Sequence, residues 1–123
     1  FMAVSGIPYP NFNHAEQAVL AAIEMQNFIN ERNKNYKVKW QMRIGINTGR
    51  VIAGIVGTKK FTFDIWGNAV NIANILEKNC EVGKINISET TYEMIKDKFK
   101  CEFRGTFDTK WINKLKMYYV YKK

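Results

Sequence analysis

The sequence predicts an α+β fold, a sheet with helices packed against it. Two observations carry this. Apolar residues recur at helical spacing from Ala15 to Ile29 and again from Ala69 to Leu76. Around them lie short apolar or alternating runs, Met42 to Ile46, Val51 to Val56, Lys84 to Ile87 and Lys116 to Tyr121, of strand character. Strands and helices therefore alternate irregularly. With 123 residues, of which 46% are hydrophobic and 14% aromatic, the chain has enough apolar material for one packed domain spanning residues 1–123 and is not disordered in composition.

Each element has its own signal. Phe1-Met2-Ala3-Val4 reads as a strand, and a turn-rich segment from Ser5 to Asn11 follows. Asn13-x-x-Glu16 is a capping-box pattern, so a helix is expected from there to about Arg32-Asn33, its inner face formed by Ala15, Ala18, Val19, Ala22, Ile23 and Ile29. Met42, Ile44 and Ile46 alternate with Arg43, Gly45 and Asn47. A Thr48-Gly49-Arg50 turn and the apolar strand Val51 to Val56 come next, which predicts a hairpin with one well-buried strand. A second helix is expected over Gly67 to Lys78 and a short strand over Lys84 to Ile87. Ser88 should cap a third helix with Tyr92, Ile95 and Phe99 inside. Two strands close the chain, Glu102 to Thr109 and Lys116 to Tyr121, joined through Trp111-Ile112-Asn113.

Composition also restricts function. The formal charge of +8, from 19 Lys and Arg against 11 Asp and Glu, suits anionic ligands such as nucleotides or an acidic membrane face. The basic residues are scattered or sit at element ends, so a nucleic-acid partner is not expected. Cys80 and Cys101 lack CxxC spacing, and His14 is the one histidine, which argues against a Cys/His metal site and for a reducing compartment. No apolar run approaches the length of a membrane span and no signal peptide opens the chain, so a cytoplasmic domain without membrane insertion is expected. The first residue is Phe, and the strand-like start suggests that the sequence begins inside a larger domain.

The glycines Gly45, Gly49, Gly54 and Gly57 match neither phosphate-loop pattern; Gly49 is expected to make the hairpin turn and Gly54 to relieve close packing. In the second helix Ala69, Ile72, Ala73 and Leu76 form the inner face, while Asn68, Asn71 and Ile75 fall at i, i+3, i+7 on another. Two asparagines on one stripe suit hydrogen bonding to a ligand, or simply a solvated face. Asp64, just before that helix, is either a functional carboxylate or a helix-start acid facing the macrodipole.

The blocks R-I-G-I-N-T-G-R-V-I-A-G-I-V-G, F-D-I-W-G-N-A-V-N-I-A, G-K-I-N-I-S, F-R-G-T-F-D-T-K and M-Y-Y-V, in this order, resemble the class III nucleotide cyclase catalytic domain over essentially the whole chain. The resemblance implies a ferredoxin-like, antiparallel-rich sheet with packed helices, and a homodimer or paired cyclase domain. Such domains assemble head to tail and convert a nucleoside triphosphate into a cyclic nucleotide and pyrophosphate at the subunit interface.

By the same resemblance Asp64 stands at the base-recognition position in the adenylyl type, where its carboxylate accepts from the adenine amino group, and the Ile65 carbonyl is a second acceptor. Asn71 matches the asparagine that orients the ribose and reacting phosphate. Lys110 matches the lysine that holds the terminal phosphates. The substrate implied is ATP. Two departures stand out: Ile75 occupies a position where the family has an arginine, and Trp111, Ile112 and Asn113 replace glycine-rich residues after Lys110. The family's two metal-binding aspartates and a base-recognising lysine would precede Phe1, so Mg or Mn is expected in the intact protein and none on this piece, which is truncated at its N-terminal side. The chain reads as the C-terminal part of an adenylyl cyclase catalytic domain, inert alone. The alternative is a degenerate cyclase-like domain that binds a nucleotide or a partner without turnover.

Overall fold

The computed structural model describes residues 1–7, 9–56 and 62–123, with backbone alone over 52–56 and 62–66. The elements in chain order are α1 (His14–Asn35), β1 (Ile44–Ile46), β2 (Ile52–Val56), β3 (Thr62–Trp66), α2 (Asn68–Lys78), β4 (Ile85–Ser88), α3 (Glu89–Ile95), β5 (Lys100–Phe107) and β6 (Leu115–Tyr121). The main sheet runs β1-β4-β6-β5, and β2 and β3 form a separate two-stranded ribbon. Only the β1 and β4 pair in this sheet is parallel, with Ile44 opposite Ile85; β4 with β6 and β5 with β6 are antiparallel. The fold is thus α+β with an antiparallel-rich sheet.

β4 shows why the helices lie on both faces. Ile85 and Ile87 join Ala15, Val19 and Ala22 of α1, with Ile95, Phe99 and Val120, in one core. Asn86, between them, points the other way and its Nδ2 donates to the Leu76 carbonyl of α2 at 2.9 Å. On that second face Ile72 and Leu76 of α2 pack against Leu115 and Met117 of β6. Every residue of β4 is buried, as a strand covered on both sides must be. Gln26 fastens α1 to the sheet, its Nε2 donating to the carbonyls of Met42 and Lys84 at 3.0 and 3.1 Å.

Three expectations are overturned. The hairpin of Met42–Ile46 with Val51–Val56 does not form, because β1 pairs with β4 and β2 pairs with β3. Ile44 and Ile46 pack into the α1 core while Gly45 meets α2, so β1 is a two-sided strand and belongs inside the main sheet. Gly49 accordingly serves close packing: a Cβ there would stand 3.0 Å from that of Ala69 on α2. The strand expected at Phe1–Val4 is absent, since no described strand pairs with it and Phe1, Met2 and Val4 are exposed. The capping box is also unmade. Asn13 gives no side-chain cap to α1, Glu16 is drawn to Lys98 at 3.0 Å, and Asn11 accepts from the Asn13 amide instead.

The remaining capping signal holds. The Ser88 hydroxyl accepts from the Thr91 amide at the start of α3. Arg104, on β5, reaches across to β6, its guanidinium 4.1 Å from the Tyr119 ring centre, and donates to the Asn79 carbonyl at 2.6 Å where α2 ends.

Candidate functional site

The chain passes from β3 to α2 through Gly67, whose φ of 132° suits a residue without a Cβ. α2 then seats Ile72 and Leu76 on the sheet and leaves Asn68 and Asn71 exposed. Ile75 departs from the stripe expected for it. It is half-buried against Ile72, Leu76, Leu115 and Met117, so the polar stripe ends where the helix flank meets β6.

The first turn of α2 is tied to the sheet by a polar network that sequence reasoning missed. Asn47, just beyond β1, donates from Nδ2 to the Ala69 carbonyl at 3.1 Å. Thr90 lies within hydrogen-bond distance of Asn47 Oδ1 and of the Thr48 carbonyl, at 3.2 and 3.0 Å, and the Thr48 and Thr91 hydroxyls meet at 2.8 Å. The available signal was the pair of polar clusters N-T-G and S-E-T-T at two strand ends, which only the parallel pairing of β1 with β4 brings together.

Beside this network opens a cavity of about 940 Å³, bounded by the start of α2, the turn after β1, the β4–α3 junction and the segment Ile112–Lys116. Its charged lining consists of Arg50, Lys114, Lys116 and Glu89, and Glu89 is paired with Lys116 at 3.3 Å. Asn68 also lines it. Asn71 and Lys110 do not. Asn71 is on the exposed face of α2, and Lys110 is exposed on the loop between β5 and β6. Asp64 and Ile65 lie on β3, opposite Gly54 and Ala53 of β2, and their side chains fall outside the described residues.

The loop of Lys110 has a defined internal structure despite its missing glycines. The Thr109 amide donates to the Ile112 carbonyl at 3.0 Å, and the Thr109 hydroxyl oxygen accepts from the amides of Trp111 and Ile112 at 3.1 and 2.8 Å. The Asp108 carboxylate accepts from the Lys114 amide at 2.9 Å, and Lys114 sits at φ +55°. Among the described residues it is the one non-glycine with positive φ.

Other chemistry is limited. Burial pushes the Cys80 thiol up from its ordinary value, and does the same to Cys101, so neither is set up as a nucleophile. Among the described residues no three of His, Cys, Asp and Glu gather in a way that could hold a metal ion. The acids near the cavity are engaged, Glu89 by Lys116 and Asp108 by a backbone amide, so the described donor set does not fit Mg or Mn. No described helix is long and apolar enough to cross a membrane.

Comparison with known proteins agrees with this architecture. The family model of the adenylate and guanylate cyclase catalytic domain matches residues 1–122. An adenylate cyclase of Mycobacterium tuberculosis is 33% identical over 120 residues, covering 98% of this chain and 27% of its own length. Adenylate cyclase type 9 of Gallus gallus is 35% identical over 102 residues, 83% of this chain and 8% of that protein. Among solved structures, the catalytic core of a rhodopsin-guanylyl cyclase with converted specificity, in complex with ATPalphaS, superposes with a TM-score of 0.87 at 32% identity, over 97% of this chain and 65% of that one. The adenylyl cyclase CyaB from P. aeruginosa gives 0.86 at 30% identity with the same coverage. The chain thus spans about a quarter or less of these curated relatives and under two thirds of these solved domains. A family match along nearly the whole chain, on a fold that superposes on a solved cyclase core, places this chain in the adenylate and guanylate cyclase catalytic-domain family.

Proposed function

We propose that residues 1–123 are the C-terminal part of a class III adenylyl cyclase catalytic domain, which in the intact protein forms cyclic AMP and pyrophosphate from ATP at the interface of two such domains. One observation carries the reading: Phe63 to Leu76 folds as strand, glycine pivot and helix, with the apolar side of the helix on the sheet and Asn71 facing outward. An exposed asparagine on a rigid helix can hold a ribose and a phosphate in a fixed relation, which is the main task in phosphoryl transfer. Asp64 accepts from the adenine amino group with the Ile65 carbonyl, and Lys110 approaches the terminal phosphates from its loop. The adenylate cyclase names of the curated relatives support ATP over GTP. Mg or Mn belongs to the intact protein, on carboxylates outside this chain. Pairing with itself or with another cyclase domain, and a cytoplasmic location, are part of the same proposal.

A second reading has a specific observation behind it. Ile75 is packed against Leu115 and Met117 where the family carries an arginine, which favours a degenerate domain that binds without turnover. The test is cyclic AMP formation from ATP with Mg²⁺ or Mn²⁺, followed by mass spectrometry. The 123-residue chain should form none, and the intact protein should form it, with Asn71→Ala lowering kcat by about 10²–10³ at nearly constant KM. An intact protein silent with both metals would hand the case to the degenerate domain, and robust turnover by the 123-residue chain would contradict the assignment of the metal ligands.

A further inference from the structure

The end of α1 and the segment after it carry an aromatic and basic cluster that the cyclase reading does not use. Residues 31–40 read E-R-N-K-N-Y-K-V-K-W, four cations against the single acid Glu31. Phe28 stands one turn before Arg32 on α1, and the Arg32 guanidinium lies over the rings of Tyr36 and Trp40, 4.5 and 3.7 Å from their centres. The apolar members of the cluster stay outside: Phe28 is 64% exposed, Tyr36 57%, Val38 73% and Trp40 50%. Large apolar side chains gathered at one place on a surface mark a contact with something else, where single ones would not.

Hydrogen bonds to the backbone hold the cluster in this form. Arg32 Nη1 donates to the Val38 carbonyl at 2.7 Å. The Asn33 side chain takes both backbone groups of Trp40, Nδ2 donating to its carbonyl and Oδ1 accepting from its amide, each at 2.9 Å. The Lys39 ammonium turns back on the carbonyls of Asn33 and Tyr36 where the helix ends. Lys34 pairs with Glu31 at the surface, whereas Lys37 makes no ion pair among the described residues. Val38, the most exposed of the four apolar residues, is flanked by Lys37 and Lys39.

An apolar side chain between two lysines, beside a tyrosine and a tryptophan, matches a phospholipid surface. Aromatic rings of this kind settle at headgroup level, the aliphatic chain reaches the acyl boundary, and the cations meet anionic headgroups. Single-stranded nucleic acid fits less well, because it needs free ring faces for its bases and Arg32 already covers one face of each ring. An acidic peptide would engage the cations and leave Phe28 and Val38 in water.

We propose that the end of α1 and the segment Tyr36 to Trp40 form a peripheral docking surface for an anionic bilayer, with Val38 and Trp40 entering the headgroup layer and Lys37 meeting the lipid charge. This is adsorption without a spanning helix, and it does not depend on the cyclase reading.

The experiment is co-sedimentation of the full chain, at about physiological salt, with phosphatidylcholine vesicles carrying about a quarter phosphatidylserine, beside vesicles of phosphatidylcholine alone. The chain should bind the first and not the second. Lys37→Gln should weaken binding about fivefold, the effect of one cation near such a surface, and Val38→Asp at least about tenfold, since it removes the apolar contact and adds a repelled charge. Both side chains are exposed, so thermal melts of these variants should stay close to that of wild type. Lys98→Gln removes the same charge at the other end of α1, where Lys98 meets Glu16, and should change binding by less than about twofold. Tryptophan emission should shift to the blue on the anionic vesicles, and Trp40→Phe should abolish the shift while most of the binding remains. Equal binding to both vesicles, wild-type binding by Val38→Asp, or a loss in Lys98→Gln as large as in Lys37→Gln would each overturn the proposal. Tighter binding to oligothymidylate or to polyglutamate than to the anionic vesicles would overturn it as well, and would assign the cluster to nucleic acid or to an acidic protein.

Discussion

Gly45 lies where β1 and α2 touch, and the contact is backbone to backbone. A Cβ added there would stand 2.3 Å from the Glu77 amide nitrogen, 2.5 Å from the Ala73 carbonyl oxygen and 2.8 Å from the Leu76 carbonyl carbon. Ordinary contact begins at 3.4 Å, so α2 would have to retreat by 3.4 − 2.3 = 1.1 Å, since helix backbone cannot rotate aside as a side chain can. Overpacking of this sort costs about 1–3 kcal/mol where side chains can yield, and the upper end applies where they cannot. For a chain of this size about 3 kcal/mol lowers the melting temperature by about 10 °C. Displacement of α2 also moves Asn71, and a misplacement of about 1 Å can cost about 10²-fold in rate. The assay is a thermal melt of Gly45→Ala beside Gly83→Ala. Gly83 has φ +84° with nothing within 4 Å of an added Cβ, so that variant bears backbone strain alone, about 1–2 kcal/mol. If Gly45→Ala melts within two or three degrees of wild type, or no lower than Gly83→Ala, α2 is not seated on β1 as described.

Two further outcomes are expected. Ile75→Arg should lower the melting temperature by a few degrees, because a half-buried contact with Leu115 and Met117 is lost, while the long arginine stem still covers part of that surface. If the proposed function holds, in the intact protein it should raise kcat with KM nearly constant; a melting shift with no kinetic change would make Ile75 a packing residue only. Stability should also fall as pH rises through about 9, the ordinary thiol value. Burial raises Cys80 and Cys101 in the folded chain, and burial likewise raises Tyr118 from 10.0. Below the unfolded value both states hold the proton and stability is level; above it the unfolded chain ionises first and gains. Urea midpoints across that range should decline more steeply for wild type than for Cys80→Ala, and equal slopes would refute the assignment.

The helices were legible because their signals are local. The spacing of Ala15, Val19, Ala22 and Ile29, or of Ile72 and Leu76, needs only a few turns of chain, and Ser88 caps α3 from three residues away. Sheet partners were not legible for the opposite reason. β1 lies beside β4, about forty residues on, and nothing near Ile44 says so, whereas Val51 to Val56 is adjacent and invites a hairpin. Gly45 carried the clue: a glycine between two inward isoleucines marks a close backbone approach. At the site, Asn71 and Lys110 came from resemblance to a family, and Asp64 and Ile65 likewise. Lys114 gave no signal, because a left-handed φ is a product of its neighbours' hydrogen bonds and not of its own identity.

The placement of α2 connects these parts. Three side chains from the sheet hold its carbonyls: Asn47 at Ala69, Asn86 at Leu76 and Arg104 at Asn79. The second and third meet groups the helix leaves open at its end, where the Cys80 amide turns to the Glu77 carbonyl and not to that of Leu76. With both ends fixed and Ile72 and Leu76 buried, α2 has little freedom to roll, so the outward direction of Asn71 is set by the core. A site built on such an element is positioned more closely than one on a loop. The loop across the cavity reaches comparable definition by other means, the Thr109 turn and the Asp108 bond that strains Lys114. Core packing thus sets the outward side of α2, and local hydrogen bonds set the loop that borders the cavity beside it. Substitutions beneath α2 should therefore act through stability, by unseating the helix that carries Asn71.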